Sequence, residues 1–202
     1  MGLREQKKQE TRAALSWAAI RLTVERGADN VLVEDIAAAA GVSPRTFNNY
    51  FSSKGEAIAS RHLDRGLKMA ADLRARPAAE PLWEAITQAA LAQIEPGPEV
   101  TAHPVPEIAQ WVEGVKVMMS SPAHQAEFLR ASAVAEREIA AAVAERTGTD
   151  AERDLYPKLV AGALGAAVNV ATQHWISTEG AADMKVLIPE ALALLAAGLP
   201  TP

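Results

Sequence analysis

Between Glu5 and Arg26, Leu15, Ala18, Ala19 and Leu22 recur at spacings of three and four with Ile20 and Val24 beside them, the pattern of one buried helix face. Gly27 ends that helix. A shorter periodic piece, Val33-Glu34-Asp35-Ile36-Ala37-Ala38-Ala39-Ala40, carries acids in its first turn, where the helix dipole favours them, and stops at Gly41. Ser43 then supplies an N-cap and Pro44 a first helical residue for a third helix reaching about Tyr50. Ser53-Lys54-Gly55-Glu56 reads as a capping box opening a fourth helix to about Arg74. Five more are predicted past Pro77: 81–94, with Leu82, Trp83, Ile86, Ala90 and Leu91 at helical spacing; 107–119; 123–146; 152–176, opened by the box Thr149-Asp150-Ala151-Glu152; and 183–197, capped by Asp183. Pro189 predicts a kink or a late start in the last, and Pro96, Pro98, Pro104 and Pro106 mark a loop before 107–119. The pattern thus gives nine helices and no repeat.

Composition supports an all-α fold. Of 202 residues, 43 are alanine and nine aromatic, whereas sheets draw on β-branched and aromatic side chains. The chain has no cysteine, which excludes disulfide scaffolds, thiolate zinc sites, iron–sulfur clusters and cysteine nucleophiles. Met1 to Lys8 holds no apolar signal core, and Gln6 stands where a myristoylation signal has Ser or Thr. The longest apolar stretch, Leu159 to Ile176, contains Asn169, Gln173 and His174 and suits a buried helix better than a membrane span. A cytoplasmic protein is expected.

Charge divides unevenly. Residues 1–76 hold thirteen Lys and Arg against nine Asp and Glu, and 77–202 hold seven against sixteen, so the formal −5 sums +4 and −9. A locally basic segment on an acidic body suggests that only the N-terminal part approaches a polyanion.

That segment also has the architecture for it. Helix 33–40, a turn holding Gly41, and helix 44–50 match a helix-turn-helix, whose second helix lies in a major groove. In Pro44-Arg45-Thr46-Phe47-Asn48-Asn49-Tyr50-Phe51, Phe47 and Phe51 are four apart and pack inward, leaving Arg45, Thr46, Asn49 and Tyr50 outward. Arginine pairs bidentately with guanine and asparagine with adenine, at about 1–3 kcal/mol of discrimination each, and threonine meets a thymine methyl or a phosphate. Tyr50 and Lys54 suit phosphates. A merely solvated polar face is the alternative.

Gly27, Val33-Glu34-Asp35-Ile36-Ala37, Ala40-Gly41-Val42-Ser43-Pro44-Arg45-Thr46-Phe47 and Tyr50-Phe51-Ser52-Ser53-Lys54 together resemble the TetR family of bacterial transcriptional regulators over about residues 10–58. The resemblance implies an all-helical, commonly nine-helix fold. Its DNA-binding domain would be 1–53 and its ligand-binding and dimerisation domain 54–202, with helix 54–74 linking them. It places Arg45 and Thr46 at base-reading or groove-facing positions, Tyr50 and Lys54 at backbone-contacting ones, and Ile36, Ala37, Phe47 and Phe51 in the core. The candidate DNA-binding set is Ser43, Pro44, Arg45, Thr46, Asn48, Asn49, Tyr50 and Lys54. Leu32, where the family usually has a capping, phosphate-touching Thr, and Asn48, where an aromatic is common, depart from the pattern. Gly55 costs up to ~1 kcal/mol of helix propensity relative to Ala.

In the family plan the last two long helices form a four-helix dimer interface, a role that 152–176 and 183–197 would fill. Gly162, Gly165, Ala166, Ala167 and Ala171 suit either that interface or close packing within one subunit. The candidate effector set is Trp83, Trp111, Met118, Phe128, Asn169 and Gln173: large apolar side chains that line a pocket or fill the core, and two amides whose burial would demand partners. The segment Glu95–Pro106 with His103 is either a gate or a surface connection. His124 and Glu127, with Glu136 and Glu138 further along, lack a third ligand or a nucleophile, and no phosphate loop, nucleophile elbow or zinc-protease motif is present, so no catalysis, metal or cofactor is expected. The expectation is a homodimeric, ligand-responsive regulator, a repressor released from a palindromic operator by a small hydrophobic effector. The alternative, encouraged by Leu32, Asn48 and the net charge, is a helical small-molecule carrier or partner-binding module with weak or lost DNA affinity.

Overall fold

The structure, a computed structural model, describes residues 2–105 and 107–201; Met1, Pro106 and Pro202 lie outside the described residues, and with them one of the loop-marking prolines. It holds ten α-helices: α1 (Leu3–Arg26), α2 (Val33–Ala39), α3 (Pro44–Asn48), α4 (Lys54–Ala75), α5 (Leu82–Leu91), α6 (Pro98–Ala102), α7 (Ile108–Ser120), α8 (Pro122–Thr147), α9 (Leu155–Ser177) and α10 (Met184–Ala196). Among the described residues no strand occurs.

One more helix forms than periodicity predicts. α6 lies in the proline-marked segment, where Pro98 occupies the first turn and Glu99 follows it at the positive end of the helix dipole. Five residues are too few to show a hydrophobic period, so the helix was invisible to that criterion. α9 starts three residues later than the Thr149 box predicts. A helix beginning at Asp150 would bury Pro157 in its interior, without an N–H and against the carbonyl of Arg153. Instead Asp150 accepts from the N–H groups of Glu152 and Arg153 in a separate turn, and Asp154 precedes α9 as its N-cap residue. α10 starts at Met184 with Asp183 accepting from the Lys185 N–H, and continues through Pro189 without the late start.

The chain forms two compact units: residues 1–62 with 96–131, and residues 63–95 with 132–202. In the first, Leu15, Ala18, Ala19 and Leu22 are buried, as their spacing predicts. Ser16, Trp17, Ile20 and Thr23 are buried too, because α1 packs against α2 and also against α6 and α7. Trp17 lies 5.2 Å from Trp111, ring centre to ring centre, and donates its indole N–H to the His103 carbonyl at 3.1 Å. Such an aromatic pair adds about 0.5–1.5 kcal/mol beyond its buried area. Arg61 lies over Trp17 and pairs with Glu99 at 2.6 Å, so α6 and His103 are both anchored at the tryptophan. A side chain at Gly114 would collide with Val24, so α7 crosses α1 at a distance only glycine permits.

The second unit gathers Met69, Leu73, Ile86, Ile139, Val143, Val160, Leu164, Ile188 and Leu192 into one core, with α10 against both α9 and α5. Arg146 closes the end of α4. Its guanidinium donates to the carbonyls of Leu73 in the last turn of α4 and of Arg76, Pro77 and Glu80 in the turn that follows, at 2.9–3.2 Å, satisfying acceptors that would otherwise need water.

Candidate nucleic-acid interface

The α2–α3 turn is fixed by backbone geometry. Gly41 has φ +69°, and the Gly41 and Val42 N–H groups donate to the carbonyls of Ala38 and Ala37 at 3.1 and 2.9 Å. This is the six-to-one and five-to-two pair of a Schellman end, and the left-handed residue is the one that needs to be glycine. A Cβ at Gly41 would meet nothing within 4 Å, so the demand is conformational rather than steric. Ser43 then caps α3: its hydroxyl accepts from the Thr46 N–H at 3.1 Å and lies 2.9 Å from the Thr46 hydroxyl. Leu32 cannot cap α2, yet its N–H donates to the Asp35 carboxylate at 2.9 Å, so half of a capping box replaces the missing threonine.

Over residues 44–51 the inward pair falls as its spacing predicts, while two of the four residues expected outward, Thr46 and Tyr50, are partly covered. Phe47 and Phe51 are fully buried, with ring centres 5.7 Å apart, and burying each side chain contributes about 1.5–3 kcal/mol. Ser43, Pro44, Arg45, Asn48 and Asn49 are exposed, and Thr46 and Tyr50 half-buried. The regular helix ends at Asn48, two residues short of Tyr50. The chain nevertheless keeps turning, because the N–H groups of Tyr50 and Phe51 both donate to the Phe47 carbonyl.

Lys54 is engaged within the protein. Its ammonium donates to the carbonyls of Ala28 and Val31, tying the start of α4 to the loop before α2. The capping box at 53–56 is also altered. Ser53 accepts from the Glu56 N–H at 3.0 Å, but the Glu56 carboxylate reaches back to the N–H and hydroxyl of Ser52. Gly55 acquires a reason: a Cβ there would lie 3.2 Å from the Glu127 side chain and 3.8 Å from the His124 ring, so α4 begins in close contact with α8.

The six candidate effector residues do not assemble. Met118 belongs to the core of the first unit with Trp111 and Phe128 packed half-buried against it, and Trp83 packs against the core of the second. Asn169 and Gln173 are exposed on α9, so burial within one protomer does not oblige them to find partners. A cleft of about 260 Å³ opens between Thr23, Val24, Gly27, Gln110, Glu113, Gly114 and Val117, and none of the six lines it. It falls below the roughly 300–1,000 Å³ of ordinary ligand pockets. The small-residue surface of α9 divides: Ala167 and Ala171 are buried and Gly165 faces Glu136, while Gly162 and Ala166 point to open space.

Exposed apolar side chains on α9 and α10 went unread in the sequence. Leu159 is 65% exposed, Val170 61% and Val186 60%. The signal was present as an apolar surplus on α9, but periodicity does not say which of two apolar faces lies inside. Among the described residues no helix is long and apolar enough to cross a membrane.

Comparison with known proteins agrees with this geometry. Residues 17–59 match the family described as bacterial regulatory proteins, tetR family, and residues 80–200 match the MftR C-terminal domain. The HTH-type transcriptional regulator TcmR of Streptomyces glaucescens is 29% identical over 177 residues, covering 86% of this chain and 76% of that protein. The fatty acid degradation regulator FadR from Bacillus halodurans has the same fold at a TM-score of 0.58 and 15% identity, over 95% of this chain and 97% of its own. NalD, the secondary repressor of the MexAB-OprM efflux pump in Pseudomonas aeruginosa, follows at 0.54 and 15%, over 96% and 97%. With a helix-turn-helix at one end and a matching domain over more than half its length, the chain belongs to the TetR family of DNA-binding transcriptional regulators.

Proposed function

We propose that this regulator is a cytoplasmic, non-enzymatic homodimeric repressor that reads a palindromic operator with α3 and leaves it when a small apolar effector binds. In this reading residues 1–53 bind DNA and 54–202 serve dimerisation and effector response. The observation that carries it is the α3 surface: Arg45, Asn48 and Asn49 stand exposed on a helix held rigidly by the Ser43 cap and the Gly41 turn. Arg45 and the asparagines read base edges. Ser43, Pro44, Thr46 and Tyr50 set register against the backbone, and Lys54 either leaves its carbonyls on binding or acts as an internal brace.

The exposed apolar faces of α9 and α10 are covered by the same faces of a second copy, a two-fold contact that buries Leu159, Val170 and Val186. Asn169 and Gln173 then find partners across the axis. Two recognition helices so joined meet successive major grooves about 34–36 Å apart or a multiple of it. An effector with different affinities for two separations of the helices releases one of them. Trp83, Trp111, Met118 and Phe128 are the side chains an apolar effector would displace or stack upon.

The test is fluorescence anisotropy on DNA from upstream of the protein's own gene, against scrambled DNA, between about 50 and 200 mM salt. The proposal expects a preference for the upstream fragment and steep salt dependence. No preference at any salt would favour the carrier reading instead.

A further inference from the structure

A buried hydroxyl on α1 lacks a partner. Thr11, Thr87 and Thr172 each donate to the carbonyl one turn back at 2.8–2.9 Å, the ordinary resort of a threonine inside a helix. Thr23 does not: it is 3% exposed, and its hydroxyl meets no hydrogen-bonding group among the described residues. Ser16 and the Arg21 Nε share that condition on α1, but of the three Thr23 alone lines the cleft between α1 and α7.

Both walls of that cleft lie within the first unit. α1 and α7 touch where Gly114 meets Val24, and the cleft is the space left beside that contact. Val24, Val117 and the bare backbone of Gly27 and Gly114 make its surface mainly apolar. At about 260 Å³ it is small for a drug-sized ligand. A cavity of about 150 Å³ already accepts benzene, so one ring with a short chain fits.

The polar groups of the cleft are of one kind. The Thr23 hydroxyl, the Gln110 amide and the Glu113 carboxylate can each accept a hydrogen bond, and none of the lining residues is a cation. The end of α1 strengthens this bias. Thr23 and Val24 stand in its last turn, whose carbonyls carry the negative end of the helix dipole, and the Val24 carbonyl faces Gly114. Arg26 shares the turn without lining the cleft. Lys116 pairs with Glu113 at 3.4 Å, but both side chains are well exposed, and such surface pairs contribute little and exchange readily.

We infer that this cleft binds a small cationic amphiphile, a primary amine carried on a single apolar ring. The ammonium donates to Glu113, Gln110 and Thr23 while the ring lies on Val24 and Val117. An ammonium has three donors and no acceptor, which matches the three acceptors here. A carboxylate on the same ring would meet Glu113 and the helix end with the wrong sign, and a plain hydrocarbon would leave Thr23 unpaired. None of the side chains offered above to an apolar effector lines this cleft, and its occupancy needs no DNA, so the site goes beyond the function proposed above and does not rest on it.

The test titrates the full-length protein, without DNA, by saturation-transfer NMR with 2-phenylethylamine, 2-phenylethanol and 3-phenylpropionate. The amine should bind saturably and about tenfold or more tighter than the carboxylate, with the alcohol between them. Glu113→Gln should weaken the amine by about tenfold, the loss of a charged partner. Val117→Trp, at an exposed position, should fill the cleft and abolish saturable binding. Thr23→Val should bind the amine about threefold more weakly yet melt no lower than wild type, since a methyl of the same shape replaces an unpartnered buried hydroxyl. Glu34→Gln, which removes an exposed acid on α2, should bind as wild type. No saturable amine binding to the wild type would overturn the assignment, as would equal affinity for amine and carboxylate or an unchanged affinity in Glu113→Gln. Binding that survives Val117→Trp, with the protein still helical by circular dichroism, would place the amine elsewhere. Equal losses in Glu113→Gln and Glu34→Gln would reduce the effect to net charge and overturn it too.

Discussion

α3 and α9 carry the two associations proposed for this regulator, and they are built in opposite ways. α3 is five residues long, capped at its start and braced by the turn before it, with Phe47 turned inward and Arg45, Asn48 and Asn49 outward. α9 is 23 residues long and buries Leu164 on one side while exposing Leu159 and Val170 on the other. A polar face on a rigid short helix suits a polyanion, whose phosphates and base edges supply hydrogen bonds. An apolar face on a long helix suits another apolar face, and a second copy is the partner always at hand. The same contrast holds for what shapes each region: a left-handed glycine beside α3, and one arginine gathering four carbonyls in the second unit.

Breaking the apolar face should have the largest effect. Leu159→Glu with Val170→Glu should give a monomer by sedimentation velocity and reduce operator affinity by about 10²–10⁴, because each half-site must then be bound alone. A dimer that persists would assign the face to something else. Arg146→Ala should lower the stability of the chain by about 2–3 kcal/mol in urea titration, since helix-end carbonyls lose a charged donor. Gly41→Ala should cost about 1–2 kcal/mol, the penalty of holding an L-residue left-handed, and should loosen α3 enough to weaken operator binding.

The smallest effect concerns acid. The hydrogen bond from Arg76 holds the Glu80 carboxyl below the ordinary glutamate range, with Arg146 adding to the shift, and Arg76 is pushed upward in turn. A lowered carboxyl stabilises the fold fully above the ordinary range and loses that contribution as pH falls through its lowered value. Glu80→Gln should therefore melt earlier than wild type near neutrality and converge with it in acid. A constant gap in melting temperature from neutral to acid would contradict this.

Much of the first 62 residues was legible because caps, turn glycines and short amphipathic helices are written locally: Gly27, Gly41, Ser43 and the Phe47–Phe51 pair all occupy the roles their chemistry predicts. What was not legible depends on distant partners. Trp111, Met118 and Phe128 suit either a pocket or the core from the sequence alone, and their packing in and against the core of the first unit depends on helices far along the chain. Lys54 reads as a cation suited to phosphate, and its bonds to the loop carbonyls of Ala28 and Val31 are set by a segment more than twenty residues earlier. Whether Asn169 and Gln173 are buried could not be read from an apolar helix, because the apolar surplus of α9 lies outside as well as inside and the two amides are exposed.

The central claim is that α3 reads bases, and the most direct measurement is the ratio of operator to scrambled-DNA affinity for wild type and Arg45→Ala at one salt concentration. The account predicts that the ratio falls about tenfold or more while binding to scrambled DNA is retained, as expected when one bidentate base pairing is removed. A ratio unchanged by Arg45→Ala, with the protein folded and dimeric, would contradict it.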